Sequence, residues 1–208
     1  MTDGAVALEI LSNKPIGIGV AHGWCPASPP LRVTEAAGMR VVGLNAAPAV
    51  EAFEAHAAAT GQTFDRHEPL PFFLHNVLGV AGPDGYHLRV PLGVEETGAV
   101  ACAAGVPAGA RVEIMGTSAA SSGDAAAQAT RAALQQLDGH RPQVALFFDC
   151  VATRLRLGQA FEDELATVRH ELGGAPFVGC NTYGQIARAE GQFGGFHNCT
   201  AVVCALPT

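Results

Sequence analysis

Charge is the scarcest ingredient of this 208-residue chain. Asp, Glu, Lys and Arg make up only 15% of it, and Lys14 is its one lysine. The 12 basic residues are scattered singly against 19 acidic ones, for a net charge of −7. Tracking a phosphate backbone or an anionic bilayer needs a concentrated positive patch, so no nucleic-acid or membrane partner is expected. No uninterrupted run of about 18 apolar residues exists to span a bilayer. The start lacks a basic segment followed by a long apolar stretch, so no signal peptide is read and a cytoplasmic location is expected. C-x-x-C, H-x-x-x-H and C-x-x-C-H are all missing, and "RHEL" at 169–172 lacks the second histidine of a zinc helix. These absences argue against a structural zinc, a zinc helix and covalently attached haem.

What is present reads as a compact, turn-rich globular protein: 49% hydrophobic residues with 25 glycines and 13 prolines. The length suits one sizeable domain or two small ones. In a reducing compartment the six cysteines are expected to be free thiols in apolar strands.

Along the chain, "IGIGV", "LRVT" and "MRVVGLN" are strand-like, the first two separated by the irregular loop "AHGWCPASPP". "PAVEAFEAHAAAT" predicts a helix opened by proline and stopped at Gly61. "FFLHNVLGVA", "YHLRVPL", "GAVACAA" and "RVEIMGT" predict an antiparallel meander, its first turn at "GPDGY". A helix capped by Ser121 or Ser122 follows and runs to Gly139. "QVALFFDC" predicts a strand buried on both faces. In the next helix Phe161, Leu165, Val168 and Leu172 share one stripe. The chain ends in a hairpin, with a register centred near Gly191 pairing Gln185 with Asn198 and Tyr183 with Thr200 on one polar face. Together these elements imply an α+β fold, a mixed, largely antiparallel sheet with helices packed on its faces.

"VALFFDCVATRLRLG", "FVGCNTYGQI" and "FHNCTAVVCAL" resemble the C-terminal half of FIST domains, and "GVAHGWCPASPPLRVTEAAGMRVVGLNAAPAVEAF" is similar to the junction between that family's two halves. The resemblance divides the chain into residues 1–40, the end of an N-terminal-like segment, and 41–208, a C-terminal-like domain. Most of the family's N-terminal half has no counterpart. Three positions depart from the family pattern: Gln185 replaces the usual Glu, Asp149 the usual Ser, and Thr153 the usual Arg, with Arg154 beside it. The resemblance implies an intracellular, non-enzymatic sensory domain for signal transduction, binding a small amino-acid-like ligand and passing the signal to a protein partner. It also raises the haem-based nitric oxide sensing of some members, with His22 and His75 as the histidines to test. No resident cofactor is otherwise expected.

The candidate ligand-binding residues are Tyr183, Gln185, Asn198 and Thr200, with Arg154 and Cys150 at the rim. Buried amides and hydroxyls cost about 1–3 kcal/mol each when unpaired, so such a face needs a guest or internal partners. Arg154 suits a ligand carboxylate, or it is a solvated or capping arginine. Cys150 is a small buried strand-end residue or, beside Arg154 and Arg156, an activated thiol; with His197 it would make a Cys-His pair and an enzyme. Losing the family's Glu at position 185 points to a neutral or anionic ligand.

Overall fold

The computed structural model describes residues 4–83, 85–188 and 195–208. The N-terminal half supplies β1 (Gly17–Ala21), β2 (Cys25–Pro26), β3 (Leu31–Ala37), β4 (Arg40–Leu44) and β5 (Ala47–Pro48), then helices α1 (Ala49–Thr60) and α2 (Leu70–Phe73). The middle supplies β6 (Val77–Gly82), β7 (Gly85–Arg89), β8 (Pro91–Val94), β9 (Val100–Cys102), β10 (Arg111–Gly116) and α3 (Ala119–Gln135). The rest is β11 (Pro142–Cys150), α4 (Val151–Leu157), α5 (Phe161–Glu171), β12 (Phe177–Thr182), β13 (Gln185–Ala187), β14 (Gly195–His197) and β15 (Ala201–Pro207). The fold is α+β as the patterning implies, with largely antiparallel sheets and helices packed against them.

One sheet runs β7-β6-β10-β3-β4-β9-β8, with β2 and β5 as short additions. β7 and β8 end this order yet are separated in the chain by Val90 alone, so the sheet curls back on itself. Phe53 of α1, Phe72 and Phe73 of α2, and Phe64 fill the curl, with ring centroids 5.0–6.5 Å apart. Burying each such ring contributes about 1.5–3 kcal/mol. The strands 71–116 are therefore not a simple meander. "FF" belongs to α2, opened by Pro69 and Pro71, and β10 lies between β6 and β3.

The second sheet has the order β1-β15-β11-β12. β15 is antiparallel to both neighbours and β11 is parallel to β12, through the crossover α4–α5. Helix α3 lies on this sheet at very close range: a methyl added at Gly19 would sit 1.8 Å from the Ala129 carbonyl oxygen. Ala125, Ala126, Ala129 and Ala133 give the helix a face small enough for that approach. α3 is capped by Ser118, whose Oγ accepts from the Ser121 N–H at 3.1 Å, three residues before the expected cap. In β11 burial alternates, because α3 and α5 cover one face while Val144, Leu146 and Phe148 on the other are only partly covered. The stripe of α5 packs as read, Phe161, Val168 and Leu172 buried and Leu165 partly so. A third apolar cluster, including Trp24, Val77, Leu88, Met115, Cys150 and Cys199, joins the two sheets.

Candidate functional site

Buried polar side chains collect where the carboxyl ends of β11 and β12 meet the start of β15. Open sheets receive ligands at the carboxyl ends of parallel strands, and this is the one parallel pair among the described residues. Asp149 and Cys150 end β11, opposite Asn181 and Thr182 of β12. Asp149 is 2% exposed; its Oδ1 accepts from the Cys150 N–H at 2.6 Å. Glu164, 3% exposed, is carried into the interior by α5, three residues after Phe161 and four before Val168 on the buried face.

The two carboxyls face each other. Burial, and then the charge of Glu164, raise Asp149 well above the usual carboxylate range. Burial likewise pushes Glu164 up to about 7. The pair therefore keeps one proton and one negative charge near neutral pH. Apart from the hydrogen bond the two carboxyls make with each other, neither Asp149 Oδ2 nor Glu164 Oε2 meets a donor among the described residues. Arg156 lies near both: it donates through Nη2 to Ser122 Oγ, sits 5.5 Å from the Trp24 ring centroid, and leaves Nε without an acceptor among the described residues.

Cys150, almost fully buried, has a second cysteine as neighbour. The neighbouring Cys199 thiol first, then the backbone N–H groups of Cys199, Ala152 and Thr153, lower its pKa to about 6, although its side chain makes no capping hydrogen bond to α4. The same pairing, then burial, raises Cys199 well above the ordinary thiol value. Cys199 holds φ of +49°, a left-handed conformation uncommon for a residue with a side chain. All six cysteines are free thiols.

Three cavities adjoin the carboxyl pair. The smallest, of about 10 Å³, is lined by His22, Trp24, Ser122, Asp149, Glu164 and Cys199 among others, room for about one water. A groove of about 270 Å³ between β12 and α5 has Phe147, Phe161, Leu165 and Phe177 as its apolar walls and Asp149 and Asn181 as polar groups. A third, of about 440 Å³ between α3 and α5, is polar and includes Asp124, Arg131, Asp163 and Glu164. The 270 Å³ groove has the apolar lining with few polar groups that small-molecule sites favour. Arginines flank it: Arg154 lies over the Phe161 ring at 5.1 Å and Arg169 over Phe177 at 5.9 Å.

The terminal hairpin differs from its expected form. Gln185 pairs with His197, one residue away from the register that opposed it to Asn198. β14 also ends at His197; the left-handed Cys199 breaks the strand, so β15 leaves the hairpin for the main sheet. Consequently Tyr183 is 87% exposed while Gln185, Asn198 and Thr200 are buried, and the four do not share a face. Gln185 Nε2 donates to Thr182 Oγ1 at 2.7 Å, Asn198 Nδ2 to the Tyr183 carbonyl at 3.3 Å, and Thr200 Oγ1 to the Asn198 carbonyl at 2.7 Å. Gln185 Oε1 and Asn198 Oδ1 are buried without a donor among the described residues. Arg154 is exposed and donates to the Gly158 carbonyl. The turn at 189–194 lies outside the described residues.

The sequence reading gave no role to Glu164 or Cys199, and took Ser122 only as a cap and Arg156 only as a cation beside Cys150. Glu164 carried a signal, a carboxylate on the apolar stripe of an amphipathic helix. Of the two histidines named for haem, His75 is exposed. His22 lines only the 10 Å³ cavity, its Nε2 at 3.1 Å from the Tyr86 carbonyl oxygen, and neither larger groove is lined by a histidine. His197 stacks on His87 at 6.0 Å. No group of three or more metal-binding side chains occurs among the described residues.

The chain is thus an α+β domain with buried polar side chains at the carboxyl ends of its parallel strands. The FIST C domain family model matches residues 49–188 and the FIST N domain model residues 1–47. The chain belongs to the FIST family, whose domains serve signal transduction as sensors. Comparison with curated proteins and with solved structures gives no match. Among the described residues no helix is long and apolar enough to cross a membrane.

Proposed function

We propose that this chain senses a small amino-acid-like molecule with an apolar side chain, received in the groove between β12 and α5. The observation that carries this reading is Asp149: almost wholly buried, in the groove wall, with no donor to Oδ2 among the described residues other than the proton it shares with Glu164. An unpaired buried acceptor costs about 1–3 kcal/mol, which a ligand N–H offsets. The Asp149–Glu164 pair holds one negative charge beside the Arg156 guanidinium, and a ligand ammonium would be a further donor to it. Phe147, Phe161 and Phe177 accept the apolar side chain, and Arg154 at the rim receives the carboxylate. The charge absent at Gln185 is thus supplied at Asp149, where the family usually has Ser. A cationic end then replaces the neutral or anionic ligand expected from Gln185 alone. The buried acceptors Gln185 Oε1 and Asn198 Oδ1, in the segments flanking β12 and β15, are positioned to relay occupancy to the hairpin and a protein partner.

The test is a thermal-shift panel of apolar amino acids, the matching amines and the matching carboxylates. An amino acid at 100 times its Kd should stabilise the chain by about 2.7 kcal/mol, with smaller effects from either half-molecule. Asn181→Ala, at an exposed lining position, should weaken the response without unfolding the chain. Equal responses by wild type, Asn181→Ala and Asp149→Asn to every compound would rule the groove out.

A further inference from the structure

We propose that β12 is the interface of a homodimer, in which two copies of this chain join their four-stranded sheets edge to edge, antiparallel, about Gly179. The two edges of that sheet are finished differently. At β1 the Gln136 amide closes the edge: its Nε2 donates to the Ile18 carbonyl at 2.7 Å and its Oε1 accepts from the Ile18 N–H at 3.2 Å. At β12 no second strand follows among the described residues, and residues 178–181 are all exposed. Proteins guard such edges with charge, proline or a bulge, and Phe177–Thr182 has none of these. Copies of net charge −7 thus meet along a strand that bears no charged side chain.

Backbone direction sets which groups are open. The Ala145 N–H donates to the Pro176 carbonyl at 3.0 Å, so the even-numbered residues of β12 turn their backbone groups to β11. Phe177, Gly179 and Asn181 turn theirs to the open side. Helix α5 fixes the partner and the register. It runs antiparallel to β12, since Arg169 near its end lies over Phe177 at the strand's start. Asp163, Thr167 and Glu171 face α3, while Leu165 lines the groove beside β12. Glu162 shares the outer stripe of Leu165 and Arg169; Glu162 and Arg169 are exposed, and neither makes an ion pair among the described residues. An acid and a base at opposite ends of one stripe complement a second copy running the other way. Glu162 of each copy then meets Arg169 of the other, with the two-fold axis between Leu165 and Ala166. That point is about 5 Å along α5 from Arg169, or about one and a half residues along β12 from Phe177. The axis therefore falls at Gly179, one of the outward-facing residues. Gly179 exchanges hydrogen bonds with Gly179 of the second copy, Phe177 with Asn181, and Val178 lies across from Cys180.

Sedimentation equilibrium of the reduced 208-residue chain should give a mass that rises with concentration from 21.3 kDa towards twice that value. Glu162→Arg and Arg169→Glu should each weaken self-association about tenfold, and the two combined, which restore opposite charges, should recover it. Val178→Cys places a thiol opposite Cys180 of the second copy, with Cα atoms about 4.5 Å apart, so mild oxidation should yield a covalent dimer. Wild type, whose Cys180 faces Val178, should form none through Cys180. All three substituted positions are exposed, so the variants keep the fold. A mass of 21.3 kDa at every concentration up to about 1 mM would leave the edge to a different partner and overturn the proposal. A dimer indifferent to both charge reversals, or one that Val178→Cys does not cross-link, uses another surface and overturns it too. No ligand enters these measurements, so failure here is separate from failure of the ligand assignment.

Discussion

Replacing Glu164 with Gln should change how stability depends on pH, with a sign and size set by the buried carboxyl pair. Glu164 is pushed from the ordinary 4.5 to about 7 in the folded protein, so between these values the native state binds more protons than the unfolded chain. Stability from this group is therefore fully present below pH 4.5 and is lost as pH rises through about 7. At about 1.4 kcal/mol per tenfold change in acidity, the loss is about 3 kcal/mol. His22 and His197 act oppositely: burial lowers both, so their contribution grows as pH rises towards 6.5. Those histidines are common to wild type and Glu164→Gln, so the difference between the two chains reports the carboxyl pair: Glu164 directly, and Asp149 through loss of the neighbouring charge that raises it. Urea unfolding, followed through the buried Trp24, should show wild type losing about 3 kcal/mol relative to Glu164→Gln between about pH 4.5 and 7.5. Parallel stability curves across that range would refute the shared-proton description and, with it, the single charge assigned to the site.

Two packing predictions test how the site is held. Gly19→Ala forces a methyl to 1.8 Å from the Ala129 carbonyl oxygen and should cost about 3 kcal/mol in thermal or urea unfolding; an unchanged midpoint would mean α3 does not lie so close. Ser118→Ala removes the cap of α3 and should cost about 1 kcal/mol, whereas Ser121→Ala, which keeps its backbone N–H, should cost less.

The local patterns that could be read from sequence were those in which a few neighbouring residues decide the outcome. The α5 stripe, the β11 run and the stop at Gly61 depend on periodicity and on one left-handed glycine, all local. The hairpin register failed because "FHNCTAVVCAL" has the composition of one continuous strand. The break at Cys199 comes from its positive φ, imposed by the two sheets that β14 and β15 must join. Tyr183 was placed on one polar face with Gln185, Asn198 and Thr200 on that register, and a slip of one residue reverses a strand's faces. The pairs that make the site were invisible for a different reason. Asp149 meets Glu164 only because the crossover folds α5 back over β11, and Cys150 meets Cys199 only because β15 returns between β1 and β11. Cys150 and Arg154 were recognised as candidates, yet their partners depend on contacts far apart in the chain.

The most direct measurement of the central claim is a calorimetric titration of the 208-residue chain with an apolar amino acid selected from the thermal-shift panel. Binding should be seen with wild type, lost in Asp149→Asn, and retained in Tyr183→Ala, whose side chain is in solvent. Binding of equal strength to Asp149→Asn, or loss of binding in Tyr183→Ala alone, would contradict the assignment of the ligand to the groove beside the carboxyl pair.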